Sequence, residues 1–179
     1  GIECKMKAED GYSYPVYPVP AETLVSILIP SKDNPEVLRK CISSIYEKST
    51  YKKFEIVVVD NGSNEENKAI IENIKEEYPF TYLYQPMDFN YSKMNNIASK
   101  EAKGEVLLLL NDDMEVVTRD WMELLLGQAA QDGVGAVGTD RCLHIQIHRR
   151  CQHPAALMVG MVAADLCTAG GGKVSGGHA

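Results

Sequence analysis

Apolar residues along this chain fall into short unbroken runs, and between the runs they recur at every third or fourth position. Leu24-Val25-Ser26-Ile27-Leu28-Ile29, closed by Pro30, has the length and β-branched content of a strand buried on both faces of a parallel sheet, as does Phe54-Glu55-Ile56-Val57-Val58-Val59. Phe80-Thr81-Tyr82-Leu83-Tyr84 predicts a third strand, Val106-Leu107-Leu108-Leu109-Leu110 a fourth, and residues 134–137 the start of a fifth. From Asn34-Pro35-Glu36 onward, Val37, Leu38, Cys41, Ile42 and Ile45 keep the spacing of one helix face. Residues 65–77 predict a charged surface helix with Ile70, Ile71 and Ile74 turned inward. Residues 92–102 predict another, closed at Gly104 by a left-handed residue, and residues 121–130 a further amphipathic one. The prolines of Tyr12-Ser13-Tyr14-Pro15-Val16-Tyr17-Pro18-Val19-Pro20 forbid a helix, so residues 1–23 predict a linker or an edge strand.

Strands alternating with helices imply an α/β domain whose sheet is mostly parallel with right-handed crossovers. Ligands of such sheets bind beyond the carboxyl ends of the strands. Three predicted strands run there into polar clusters, Ser31-Lys32-Asp33, Asp60-Asn61-Gly62-Ser63 and Asn111-Asp112-Asp113. One edge of the sheet is therefore expected to carry several carboxylates, and that edge is the predicted site.

Composition narrows the partners. A chain of 179 residues suits one domain, and its 45% hydrophobic and 24% charged content is that of a soluble globular protein. No apolar run approaches the roughly 18 residues of a membrane span. A net charge of −7 disfavours nucleic acid, and a phosphorylated ligand would need local help such as a metal ion. The chain starts at Gly1 with no charged-then-apolar leader and reads as an excised segment without a secretion signal. Its five cysteines are irregularly spaced, which favours reduced thiols and a cytoplasmic setting.

The chemistry rests on a few positions. Asp112 and Asp113 follow five apolar residues, and two adjacent carboxylates repel unless they share a cation. Mg²⁺ or Mn²⁺ takes one or two carboxylate oxygens and completes its shell from water and phosphates, and it stabilises a departing diphosphate. The alternative is that Asn111-Asp112-Asp113 caps a following helix. Asp60 is placed to accept from a nucleobase imide or a ribose hydroxyl; alternatively it closes an Asx-turn with Gly62. Ser31 and Lys32 offer donors to the same nucleotide, and Lys93 can reach a phosphate, although lysines at such positions are commonly surface charges.

Taken in order, Val25-Ser26-Ile27-Leu28-Ile29-Pro30-Ser31-Lys32-Asp33, Val57-Val58-Val59-Asp60-Asn61-Gly62-Ser63, Asn96 with Ala102-Lys103-Gly104-Glu105, and Leu108-Leu109-Leu110-Asn111-Asp112-Asp113 resemble the family-2 glycosyltransferases. The resemblance covers residues 24–138, leaving 1–23 as linker or edge strand and 139–179 as an atypical tail. It implies a GT-A (Rossmann-like) α/β fold, incomplete here at the acceptor half, with a nucleotide-diphosphate sugar donor, a divalent metal and usually inversion at the anomeric carbon. By the same resemblance Asp60 holds the base, Pro30, Ser31 and Lys32 lie against the nucleotide, Asp112 contacts the ribose or diphosphate, and Asp113 of the DXD-type motif ligates the metal. Phe89-Asn90-Tyr91-Ser92-Lys93 is similar to variants in bacterial surface-polysaccharide enzymes, including rhamnosyltransferase-like members. That points to a UDP- or dTDP-sugar donor and to polysaccharide synthesis on a glycan or lipid-linked acceptor, at the inner membrane face in a longer protein.

The family's acceptor-activating base lies well downstream of the DXD-type motif. Beyond Gly138 the acidic residues are Asp140 and Asp165, and neither stands in an acceptor motif. A truncated module that binds nucleotide diphosphate and metal without turnover is therefore the alternative function. Gly133-Val134-Gly135-Ala136-Val137-Gly138 spells the GxGxxG fingerprint, but it follows a predicted helix instead of a strand and so does not predict a dinucleotide site. Cys142, His144, His148, Cys151 and His153 have zinc-ligand chemistry without a regular paired-ligand spacing. No GxxxxGK[ST] loop and no GxSxG elbow occurs.

Overall fold

A computed structural model of the chain describes residues 4–9, 11–19, 22–138, 147–149 and 160–163. In order it contains β1 (Lys5–Glu9), β2 (Tyr12–Val16), β3 (Val25–Ser31), α1 (Pro35–Lys48), β4 (Phe54–Asp60), α2 (Glu65–Glu77) and β5 (Thr81–Tyr84). There follow α3 (Tyr91–Glu101), β6 (Val106–Leu109), β7 (Met114–Val116), α4 (Trp121–Ala129), β8 (Ala136–Gly138), β9 (Ile147–Arg149) and β10 (Gly160–Ala163). The main sheet has the order β5-β4-β3-β6-β10-β8. Its first four strands are parallel, whereas β10 runs antiparallel between β6 and β8.

The continuous apolar runs are explained by helices on both faces. Ile27 and Ile29 of β3 and Ile56 and Val58 of β4 pack on one side with Leu38, Ile42 and Ile45 of α1, Ile71 and Ile74 of α2, and Trp121 and Leu125 of α4. Leu28, Val57 and Val59 face the other way, onto Met94 and Ala98 of α3. Alternate residues of one strand thus serve two cores, and neither face tolerates a polar run. The predicted strands and helices appear within a residue or two of their expected bounds.

Two local readings change. Helix α3 does not end on a left-handed glycine: its C-cap is Ala102 with φ −66° and ψ 136°, and Gly104 is not among the glycines with positive φ. Gly104 is instead required by close approach, because a Cβ there would stand 2.6 Å from the Leu24 carbonyl oxygen and 2.7 Å from the Ser26 amide and hydroxyl. Residues 1–23 hold an antiparallel hairpin, with Glu9 opposite Tyr12 and Gly11 at φ 82° in the connection. The hairpin contacts α4 through β2: Tyr14 is buried, and a Cβ on Gly127 would stand 2.7 Å from the carbonyl oxygen of Tyr17, just after β2. Residues 139–179, set apart in the sequence, contribute β9, which pairs with β7, and β10 of the main sheet. The cysteine and histidine side chains of the zinc reading lie outside the described residues. Helix α4 precedes the GxGxxG segment and β8 starts inside it, the wrong context for a dinucleotide fingerprint.

Candidate active site at the carboxyl edge of the parallel strands

Parallel pairing in register brings the ends of β3, β4 and β6 to one edge, with Ser31 level with Asp60 and Leu28 level with Leu109. The chain leaves β6 through a hydrogen bond from the Leu110 amide to the Leu28 carbonyl, at 3.0 Å, which carries Asn111-Asp112-Asp113 past Ser31. The Ser31 hydroxyl donates to Asp112 Oδ2 at 2.7 Å, joining residues 81 positions apart. Ser31 is buried, Asp112 half-buried and Asp113 buried. Strand β7, not a helix, comes directly after the acidic pair, so the helix-capping alternative for these residues falls away.

Burial is the main force on Asp112. It pushes the carboxyl up to about 6, the Asp113 charge adds in the same direction, and the Ser31 hydrogen bond opposes both. A bound cation would relieve what burial and the neighbouring charge impose. Among the described residues no group of three or more histidine, cysteine, aspartate or glutamate side chains gathers as a metal cage. The adjacent Asp112 and Asp113 carboxylates are the donor chemistry that a hard divalent ion would take, with its other ligands drawn from water and phosphate.

Asp60 takes the Asx-turn geometry. Its Oδ1 accepts from the Gly62 amide at 3.0 Å and the Ser63 amide at 2.8 Å, while Oδ2 accepts from the Tyr82 hydroxyl of β5. The side chain is 0% exposed, so it holds the turn from within. Burial and the Asp60 carboxylate together push the Tyr82 phenol far above its ordinary range. Tyr82 is a site residue that the sequence did not disclose; no local motif marks a tyrosine that reaches 22 positions back. The turn itself packs on the segment after β5: Gly62 has φ 100°, and a Cβ there would lie 3.3 Å from Pro86.

A second set of bonds ties the β3–α1 loop to the α2 start. The Asp33 amide donates to Ser63 Oγ at 2.8 Å, and Asp33 Oδ1 accepts from the Asn64 amide at 3.0 Å and Asn67 Nδ2 at 3.1 Å. Those bonds hold the Asp33 carboxyl below its ordinary value. Pro30 is buried within β3, whereas Lys32 stands exposed between the two loops. Lys93 is exposed in the first turn of α3, where its amide is capped by Asn90 Oδ1 at 2.9 Å. Pro30, Ser31, Asp60, Asp112 and Asp113 are thus brought to one edge, with Lys32 beside them.

A family model, described as glycosyl transferase family 2, matches residues 26–158. The chain belongs to that family. The match runs from β3 past Gly138, where the resemblance read from the motifs stops. Similar proteins include the O-antigen biosynthesis protein RfbC of Myxococcus xanthus, 40% identical over 146 residues that make up 81% of this chain and 11% of that protein. The succinoglycan biosynthesis protein ExoM of Rhizobium meliloti is 33% identical over 86 residues, 48% of this chain and 28% of that one. The chain therefore spans a minor part of each. Among solved structures, the mannosyltransferase PcManGT of Pyrobaculum calidifontis, in complex with GDP-Man and Mn²⁺, superposes with a TM-score of 0.67 at 18% identity, covering 87% of this chain and 49% of that one. That likeness shows the shared GT-A fold.

Proposed function

We propose that this chain forms the donor side of a glycosyltransferase, holding a nucleoside-diphosphate sugar and a divalent ion against the edge where β3, β4 and β6 end. The observation that carries the reading is the Ser31–Asp112 hydrogen bond, which gathers the acidic pair and the β3 terminus into one wall. The relatives' part in O-antigen and succinoglycan synthesis supports a polysaccharide product; a glycan or lipid-linked acceptor and a place at the cytoplasmic membrane face belong to the same proposal. The neighbour that binds GDP-Man with Mn²⁺ supports the metal.

In this reading Asp113 holds the cation and Asp112 faces the ribose or diphosphate. When bound, the ion offsets the charge of the leaving diphosphate. Asp60 shapes the nucleoside wall through the turn it closes. A direct bond from its carboxylate to a base requires that wall to open, because the side chain has no exposure. Lys32 and Lys93 supply positive charge to the phosphates. Transfer, with inversion, also requires a base for the acceptor hydroxyl, and none is assigned among the described residues.

Calorimetry with UDP and dTDP, with and without Mn²⁺, tests the assignment on the full chain and on Asp113→Ala. Mn²⁺-dependent binding that weakens at least about tenfold in the variant is expected, the scale of a lost metal ligand or its support. Binding that ignores both the metal and the substitution overturns it.

A further inference from the structure

We infer that Ser31 is a positioning residue for Asp112, and that it contributes to nucleotide binding through the metal and not by direct donation to the nucleotide. The inference rests on the donor-site reading given under Proposed function. A serine hydroxyl has one proton, and here that proton is committed to Asp112 Oδ2 at 2.7 Å. A phosphate oxygen at neutral pH is an acceptor, so the Ser31 side chain has nothing to donate to it. The backbone on both sides of the bond is fixed. The Ser31 carbonyl accepts from the Asn61 amide at 2.9 Å, and the Asn111 carbonyl accepts from the buried Cys41 thiol at 3.7 Å. Ser31 is 4% exposed. One oxygen of Asp112 is therefore held in place before any ligand arrives, so that its charge stands in a set orientation next to the cation that Asp113 would hold.

The experiment measures UDP binding to the full chain by calorimetry with and without Mn²⁺, for the native protein, Ser31→Ala and Ser31→Thr, with thermal unfolding as the control for fold. The quantity read is the ratio of the two affinities. In Ser31→Ala the Mn²⁺-dependent gain is expected to fall by roughly tenfold, the scale of outer-shell support at a metal site, a larger loss than in metal-free UDP binding. Ser31→Thr keeps the hydroxyl and restores the gain. An undiminished gain in Ser31→Ala overturns the inference, as does an equal loss with and without metal, which would mark a direct nucleotide contact. If the native protein gains nothing from Mn²⁺, the donor-site reading falls with it; if only the Ser31→Ala comparison fails, that reading stands.

Discussion

Replacing Asp112 with asparagine should make the metal-free protein more stable at neutral pH. The carboxyl is raised from 3.8 to about 6 in the folded state, chiefly by burial. At about 1.4 kcal/mol per pH unit, a shift of about two units means that ionising Asp112 costs the fold up to about 3 kcal/mol. Residual exposure of the side chain lowers that ceiling. The sign follows from the direction of the shift. Below about pH 3 the carboxyl is protonated in both folded and unfolded chains and Asp112 exerts no pH-dependent penalty. As pH rises through about 6 the folded state must ionise a buried group, and stability is lost. Asparagine keeps the shape and an acceptor for the Ser31 hydroxyl but never ionises. Urea unfolding in EDTA, of native and Asp112→Asn protein at about pH 4 and about pH 8, isolates the effect of the acidic pair, since titrating groups distant from it cancel in the difference. The variant should gain up to about 2 kcal/mol on the native chain between the two conditions. Mn²⁺ should then stabilise the native protein more than the variant. A difference that does not change with pH, or that moves against the variant, refutes the reasoning.

Three further outcomes are expected from contacts at the site and in the fold. Tyr82→Phe removes a donor to the buried Asp60 carboxylate and should cost about 1–3 kcal/mol in urea unfolding; a change below a few tenths would mean the bond is idle. Gly104→Ala forces a methyl onto the β3 backbone and should destabilise by about 2 kcal/mol or more, with no rescue from improved helix propensity. Gly127→Ala pushes on the Tyr17 carbonyl and should loosen the hairpin, read as faster amide exchange in β1 and β2 while β3 and β4 keep their protection.

Much of the fold is legible because β3, β4 and β6 are buried on both faces, which turns them into unbroken apolar runs bounded by polar clusters. The edge carrying Ser31, Asp60, Asp112 and Asp113 follows from where those runs stop. The sequence is silent where partners are distant. Strand β7 has three residues and exists by pairing with Ile147–Arg149; β10 reaches β6 across more than 50 residues. Tyr82 shows the same limit at the site, since its hydroxyl matters only once β4 and β5 lie side by side. The hairpin was open to reading, because Asp10-Gly11 is a favoured two-residue turn, but the prolines around it argue for linker. Gly104 carried a local signal with two meanings, a helix end or a close approach, and only packing separates them.

The antiparallel insertion of β10 also sets an order of events during synthesis. Gly160 pairs with Leu109, so β6 is made 51 residues before its outer neighbour, counting 160 minus 109. At ribosomal rates of about 5–20 residues per second, the apolar Val106–Leu109 edge waits several seconds for its partner. During that interval β8 has no strand to join either, since among the described residues its main-sheet neighbour is β10 alone. The nascent chain thus exposes a hydrophobic strand edge, the template for wrong pairing, until residues 160–163 emerge and close it.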